Sequence, residues 1–302
     1  MNMNRVSLFT RIRFFNETNT IPSGWWFVAL QTTVCITLAA RGWLTWQWDS
    51  PLRSLVWQED WWARPLNHFF GIPWRHFAEH SEPSLTNVLE YFGMFLMFCA
   101  VVPWLVTVNR LRWTRWLLFP AGLLLVLDDI GRWIDADREL GMVIEHALQV
   151  ASPFLLLMAL SSVSKRMWML SVSVAASLTF VGHGLYAIGY YSVPLIFQTM
   201  TMQILDCEQN TALTFLKIAG LLDFIAVTGL WISVTRPWAL IYMIGWGAAT
   251  ALARVCAHDG LDPWLAETFV RTSHWSLPLL LLYLSTARST DHTSDISHKP
   301  SQ

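Results

Sequence analysis

Eight apolar runs, each close to the roughly 20 residues that a helix needs to cross a bilayer, decide what this chain can fold into. They lie at about 25–43, 85–108, 114–132, 143–162, 167–190, 212–234, 238–257 and 271–286. Hydrocarbon satisfies no backbone amide, so a run of this length must close its own hydrogen bonds as a helix. The expected fold is all-α: a polytopic membrane protein of about eight transmembrane helices. The chain is 54% hydrophobic and 14% charged, against roughly 25% charged residues in soluble domains. Its 19 tryptophans suit the boundary between headgroups and hydrocarbon. The 20 basic and 21 acidic residues provide no basic field, which argues against a nucleic-acid partner. No nucleophile motif, phosphate-binding glycine loop or dinucleotide fingerprint is present, so hydrolase, kinase or dehydrogenase chemistry of the soluble kind has no support.

Basic residues in short loops set orientation. With a cytoplasmic N-terminus, that side receives Arg5, Arg11 and Arg13, then Arg110, Arg112 and Arg115, Lys165 and Arg166, Arg236, and finally Arg288 and Lys299. The opposite loops carry acids: Asp135, Asp137 and Glu139; Asp206 and Glu208; Asp259, Asp262 and Glu267. Both termini are therefore expected in the cytoplasm of a bacterial-type inner membrane. The first 24 residues hold no apolar h-region, so no cleavable signal is expected and the first run stays as an anchor. Residues 1–24 form a cytoplasmic segment, 25–162 a first four-helix unit with a tryptophan-rich outer loop at 44–84, 163–287 a second four-helix unit, and 288–302 a polar, disordered tail.

The loop holds Trp46, Trp48, Trp57, Trp61, Trp62 and Trp74. Ser50 and Pro51 make a helix start, and Leu52, Leu55, Val56, Trp62 and Leu66 then fall near one face, opposite Arg53 and Asp60. This is the pattern of an interfacial helix capping the outer surface; headgroup anchoring by the tryptophans alone is the alternative. Of Cys35, Cys99, Cys207 and Cys256 none forms a CxxC pair, while Cys207 and Cys256 both face the oxidising side, where a bridge is possible. The nine histidines are not concentrated into a metal site, and haem ligation would require His146 and His183 to face each other.

The chain resembles itself. Ala-Arg-Gly-Trp-Leu at 40–44 matches Gly-His-Gly-Leu-Tyr at 182–186, and Glu90, Gly93 and Trp104 match Lys217, Gly220 and Trp231 at constant spacing. Arg132 and Arg254 each lead into an acidic loop, and Pro153 and Pro278 each precede a leucine run. Two parallel repeats of four helices follow, with an interface that can house a site.

This unit resembles the DoxX-type membrane fold, best over 175–257 around Gly182-His183-Gly184, Gly220, Asp223, Gly229 and Arg254. The usual glutamate–glycine pair of the second helix is absent, with Gly220 and Asp223 its nearest counterparts, and the chain has two units instead of one. The resemblance implies a membrane subunit associated with quinone-linked sulfur or thiol oxidation.

Charge inside a membrane costs roughly 2.5–3.5 kcal/mol per residue at the helix centre on insertion scales and so demands a reason. The candidates are Arg41, Glu90, Asp128, Asp129, Arg132, Glu145, His146, His183, Asp223 and Arg254, nearly all toward the outer ends of their spans. Asp128 and Asp129 precede Arg132 by four and three residues, the spacing of helix-face pairs. Glu145 beside His146 makes a proton-relay pair. Glu90 is placed to reach Arg41, and the ring of Arg41, Arg132 and Arg254 suits an anionic or quinone-like ligand. Snorkelling to water and helix-fixing ion pairs are the plain alternative. Three functions follow: a redox-associated protein binding a lipophilic, quinone-like molecule in an outward-facing polar pocket, with a redox partner docked on the outer loop; a transporter built from two repeats; or a membrane assembly partner.

Overall fold

The computed structural model describes residues 24–294 apart from 162 and 259, with side chains described as far as residue 286. The side chains of Arg5, Arg11, Arg13, Asp259, Arg288 and Lys299, and the end of the tail, lie outside that set.

Every element among the described residues is helical. α1 (Trp25–Gln47) leads into three short helices, α2 (Leu52–Val56), α3 (Glu59–Phe70) and α4 (Trp74–His80). α5 (Glu82–Cys99) continues as α6 (Val102–Leu105), and a 3₁₀ stretch at Asn109–Leu117 runs into α7 (Leu118–Asp135). α8 (Leu140–Glu145) and α9 (Ala147–Ala159) precede the long α10 (Lys165–Ala187). Then come α11 (Leu195–Leu205), α12 (Gln209–Trp231), α13 (Arg236–Cys256), α14 (Trp264–Val270) and α15 (Thr272–Ser294). Five of these helices, α1, α5 with α6, α10, α12 and α13, are long and apolar enough to cross a membrane.

Several boundaries depart from the sequence expectation. The fourth run is broken at His146, between α8 and α9. The interfacial helix expected from Ser50 is divided at Trp57–Gln58, and Ser50 itself is buried, accepting a hydrogen bond from the Leu52 amide and donating one to Asp128. The connection after the fifth run contains α11, and α15 extends through Ser294, past residue 287. Cys207 and Cys256 are free thiols, not a bridge.

Glycines set the helix crossings. A Cβ on Gly42 would lie 2.7 Å from the Gly93 carbonyl oxygen, and one on Gly93 would lie 2.7 Å from that of Gly42. The same reciprocal contact joins Gly184 and Gly220, at 3.2 and 2.9 Å. Small residues let backbones meet where no hydrophobic drive separates helix from lipid. α1 packs against α5, α14 and α15, whereas α10 packs against α12, α8 and α9. α7 lies on α8 and α9, and α13 on α14 and α15.

The core divides along the bundle. Phe27, Leu30, Val34, Leu118, Leu155, Trp168, Val172, Leu240 and Leu281 fill one half with apolar contacts. At the other half, beneath α2–α4 and hence the capped end, the buried side chains include Arg41, Asp128, Asp129, Glu145, His146, Gln149, Arg254, Arg271 and His274. Around the outside, Tyr91 and Phe98 on α5, Leu123 and Leu127 on α7, Leu170 and Val174 on α10, and Leu221 and Ile225 on α12 are exposed, an apolar belt far beyond what water tolerates. Exposed tryptophans bracket it: Trp43, Trp48, Trp61 and Trp62 toward the capped end, and Trp104, Trp113, Trp116 and Trp238 at the opposite end.

Candidate functional site

Where α1, α7, α8, α9, α10 and α15 converge at the capped end, their polar residues form one connected centre. Arg41, 4% exposed, stands 3.6 Å from Asp128 and donates to Gln149 Oε1 at 3.2 Å. Asp128 also takes Arg132 at 3.4 Å, one helical turn along α7. Because Gln149 Oε1 accepts from Arg41, its Nε2 is the group that donates to His274 Nε2, 3.1 Å away. The His274 ring lies 5.4 Å from that of His183, centroid to centroid. His183 Nδ1 is 3.7 Å from Glu145 Oε2, Glu145 Oε1 is 3.3 Å from His146 Nε2, and His146 Nδ1 is 2.8 Å from Asp129 Oδ1.

Local structure explains why these groups meet. A Cβ on Gly182 would sit 2.6 Å from the Glu145 amide nitrogen, so only glycine lets α10 ride over the end of α8 and bring His183 to Glu145. The break at His146 leaves unsatisfied amides at the start of α9, and the Leu148 N–H finds Thr179 Oγ1 on α10 at 3.0 Å. Trp43 and Trp48 both donate to Asp262 at 3.3 and 3.1 Å, tying α1 to the turn before α14.

Hydrogen-bond chemistry assigns one proton in this centre. His146 Nδ1 lies 3.0 Å from the Met142 carbonyl oxygen, an acceptor only, so Nδ1 bears a hydrogen. In a neutral ring Nε2 would then present a lone pair, yet it faces a Glu145 oxygen. Two lone pairs do not face each other stably at that distance. Glu145 and His146 therefore share one additional proton, and as a pair they carry no net charge.

Two cavities flank the centre. The charged one, ≈ 450 Å³, is lined among others by Arg41, Arg132, Glu145, His146, Arg254 and Arg271. The apolar one, ≈ 170 Å³, lies between α10, α11, α12 and α13 and presents Phe197, Met200, Phe215 and Trp246 together with His183, Asp223 and Arg254. Ile204, Leu205 and Phe215 on its rim are exposed on the outside of the bundle. Phe197 and Arg254 belong to both walls. Arg254 is 4% exposed and donates to its own helix at Thr250 O, 2.7 Å, but no carboxylate stands within ion-pair distance of it among the described residues. Arg271, by contrast, holds Glu267 at 2.5 Å. Glu267 lies on α14, outside the spanning helices. Burial alone would push its carboxyl up, but Arg271 first, then Arg41, Arg132 and Arg254, hold it well below the usual carboxylate range.

The ten expected residues thus separate into groups. Arg41, Asp128, Asp129, Arg132, Glu145, His146 and His183 belong to the connected centre, and Arg254 borders it. Asp223 lies apart, in the apolar cavity, accepting from Tyr242 Oη at 2.9 Å. Glu90 does not pair with Arg41: it is half-buried and has no ion pair among the described residues. Gly42 points α1 at α5 through Gly93, so its neighbour Arg41, about 100° round the helix, faces α7 and α9 instead. Sequence reasoning took Ser50 only as a helix start and passed over Gln149, Tyr242, the α11 side chains and the Glu267–Arg271 pair, of which the last is legible as an i, i+4 spacing. It also overlooked the HxxxH spacing of His76 and His80 on α4, whose rings lie 4.3 Å apart. No group of three metal-ligating side chains occurs among the described residues. His146 and His183 do not face each other across a haem-sized space; the Glu145 carboxyl stands between them. Compared with models of protein families, with curated proteins and with solved structures, the chain matches none.

Proposed function

We propose that this chain is an integral membrane protein of eight spans, arranged as two parallel four-helix units, that binds a small lipophilic molecule with quinone-like oxygens at the outward-facing polar centre. Support for the repeat comes from packing. Exchanging α1 with α10, α5 with α12, α7 with α13, α8 with α14 and α9 with α15 maps the principal helix contacts onto one another, and carries the Gly42–Gly93 crossing onto Gly184–Gly220. Each unit's first helix is embraced by the last two helices of the other unit, α14 and α15 for α1 and α8 and α9 for α10. Arg110, Arg112, Arg115, Lys165, Arg166 and Arg236 gather at the end opposite the cap, which favours the cap as the extracytoplasmic side.

The observation that carries the ligand reading is Arg254. Arg41 and Arg132 have Asp128 within ion-pair distance and Arg271 has Glu267, whereas Arg254 is the buried guanidinium without a carboxylate among the described residues. An isolated buried charge is costly, so a ligand oxygen with negative character is its natural complement. The apolar cavity, ≈ 170 Å³, exceeds the approximately 150 Å³ that admits a six-membered aromatic ring. The DoxX-like resemblance adds a redox setting, and buried charges that, Asp223 apart, lie in the capped half favour binding over transport.

The test is mass spectrometry of the lipids extracted from protein purified in mild detergent, comparing wild type with Arg254→Gln and with Met200→Trp, which fills the cavity without touching a charge. A lipophilic, oxygen-bearing compound should accompany wild type in near-stoichiometric amount. Loss of a charge-assisted contact worth about 1.5–3 kcal/mol lowers retention roughly 10- to 100-fold in Arg254→Gln. Bulk lipid alone in all three proteins overturns the reading.

A further inference from the structure

The shared proton has somewhere to go. Glu145 presents one oxygen to His146 and the other to His183. His146 lines the charged cavity, and His183 lines the apolar one. His183 Nε2, on the ring edge away from Glu145, is buried with no hydrogen-bond partner. An imidazole that takes a proton at one nitrogen can release one from the other, so this orphaned atom is the free end of a chain whose other links are engaged.

We propose that Glu145 is the central carrier of a proton path linking the charged cavity, through His146 and His183, to a ligand oxygen in the apolar cavity. This rests on the reading that the apolar cavity holds an oxygen-bearing ligand. In the inward direction the His146 Nε2–H bond breaks as a Glu145 Oε1–H bond forms. The carboxyl then rotates, carrying that proton toward α10, and the Oε1–H bond breaks as a His183 Nδ1–H bond forms, while the Nε2 proton of His183 passes to the ligand oxygen. Water in the charged cavity returns a proton to His146. One proton enters and one leaves, and no electron pair changes owner between residues. The 3.7 Å from Glu145 to His183 is longer than a hydrogen bond, so the second transfer requires the carboxyl to swing toward α10.

The alternative route is closed by chemistry. His183 also lies against His274, but His274 Nε2 receives the Gln149 amide, whose oxygen is held by Arg41, and an amide does not readily pass a proton. The charged groups acting on Glu145 are Arg271, Arg254, Arg132 and Glu267, with Asp129 facing His146 from α7. Among the described residues neither carboxyl, Asp129 nor Glu267, makes an ion pair with His183, so neither bypasses Glu145. Gly182 is a positioning residue of the path, since any side chain there would strike the Glu145 backbone.

Solid-state NMR of ¹⁵N-histidine-labelled protein in liposomes, after transfer from water to D₂O, reads the path without a ligand. The expected result is that Glu145→Gln slows deuteration of the His183 ring nitrogens about a hundredfold, the low end of what a positioned proton carrier contributes, while His146 exchanges as in wild type. Glu145→Asp should restore part of the rate, which a packing role would not. His146→Gln leaves Glu145 in place and has the same expected effect at His183, so it decides the matter should Glu145→Gln not accumulate. Wild-type exchange at His183 in these variants overturns the path. So does a wild-type His146 that shows no proton shared with Glu145. Because ligand retention is measured separately, failure of the path and failure of the ligand reading are distinguishable.

Discussion

Neutralising Asp128 asks whether the centre is a buried ion network or merely a hydrated pocket. Asp128 is 4% exposed and serves two guanidiniums, Arg41 at 3.6 Å and Arg132 at 3.4 Å, while accepting from Ser50 Oγ at 3.1 Å. Asp128→Asn keeps the shape and the serine contact but strands both cations. Removing one partner of a buried pair costs about 3–5 kcal/mol. Arg41 retains Gln149, and the Arg132 side chain is 22% exposed and so partly hydrated, which places the expected loss near the lower limit, about 3 kcal/mol. Adding Arg41→Met removes one stranded charge, so the double variant should be more stable than the sum of the singles predicts, by about 1–3 kcal/mol. Reversible unfolding in mixed micelles, titrated with a denaturing detergent, measures all four proteins. A loss below about 1 kcal/mol for Asp128→Asn, the size of a solvated surface pair, together with simple additivity, would refute the buried network.

Two further outcomes follow from the geometry. Gly245 and Gly247 share the unbroken α13, and each gains about 0.5–1 kcal/mol of helix stability on replacement by alanine. A Cβ at Gly245 meets nothing within 4 Å, whereas one at Gly247 would lie 2.8 Å from the His274 carbonyl oxygen. Gly245→Ala should therefore stabilise the protein and Gly247→Ala destabilise it by up to about 2 kcal/mol once an overpacking cost of about 1–3 kcal/mol is included; equal melting temperatures would contradict the α13–α15 contact. Glu267 has its carboxyl held below the usual range, so its stabilising contribution is full above the unfolded carboxylate value of about 4.3 and fades only as pH falls from there toward the lower folded value. The stability difference between wild type and Glu267→Gln should hold constant from neutral pH to about pH 5 and shrink in more acidic buffer, as followed by thermal unfolding across that range.

Depth along the bundle was legible from the chain alone. A run near 20 apolar residues is expected to form one long helix, and with successive runs alternating in direction Arg41, Arg132, Glu145, His183 and Arg254 were all expected at one end, where the structure brings them together. Gly182 and Gly184 on either side of His183 likewise announced a close approach of helices. Rotation about each helix axis was not legible, since an apolar run looks the same from every side to the lipid around it. That rotation is set where backbones touch. Gly42 against Gly93 turns Arg41 from Glu90 toward Asp128, and Gly182 against the Glu145 backbone brings a carboxyl between two imidazoles. The break at His146, the folding of α11 over the apolar cavity and the separation of Asp223 from the ion network depend in the same way on neighbours distant in sequence. The apolar pattern determines which residues share a level of the bundle. Close packing of small residues decides which of them meet.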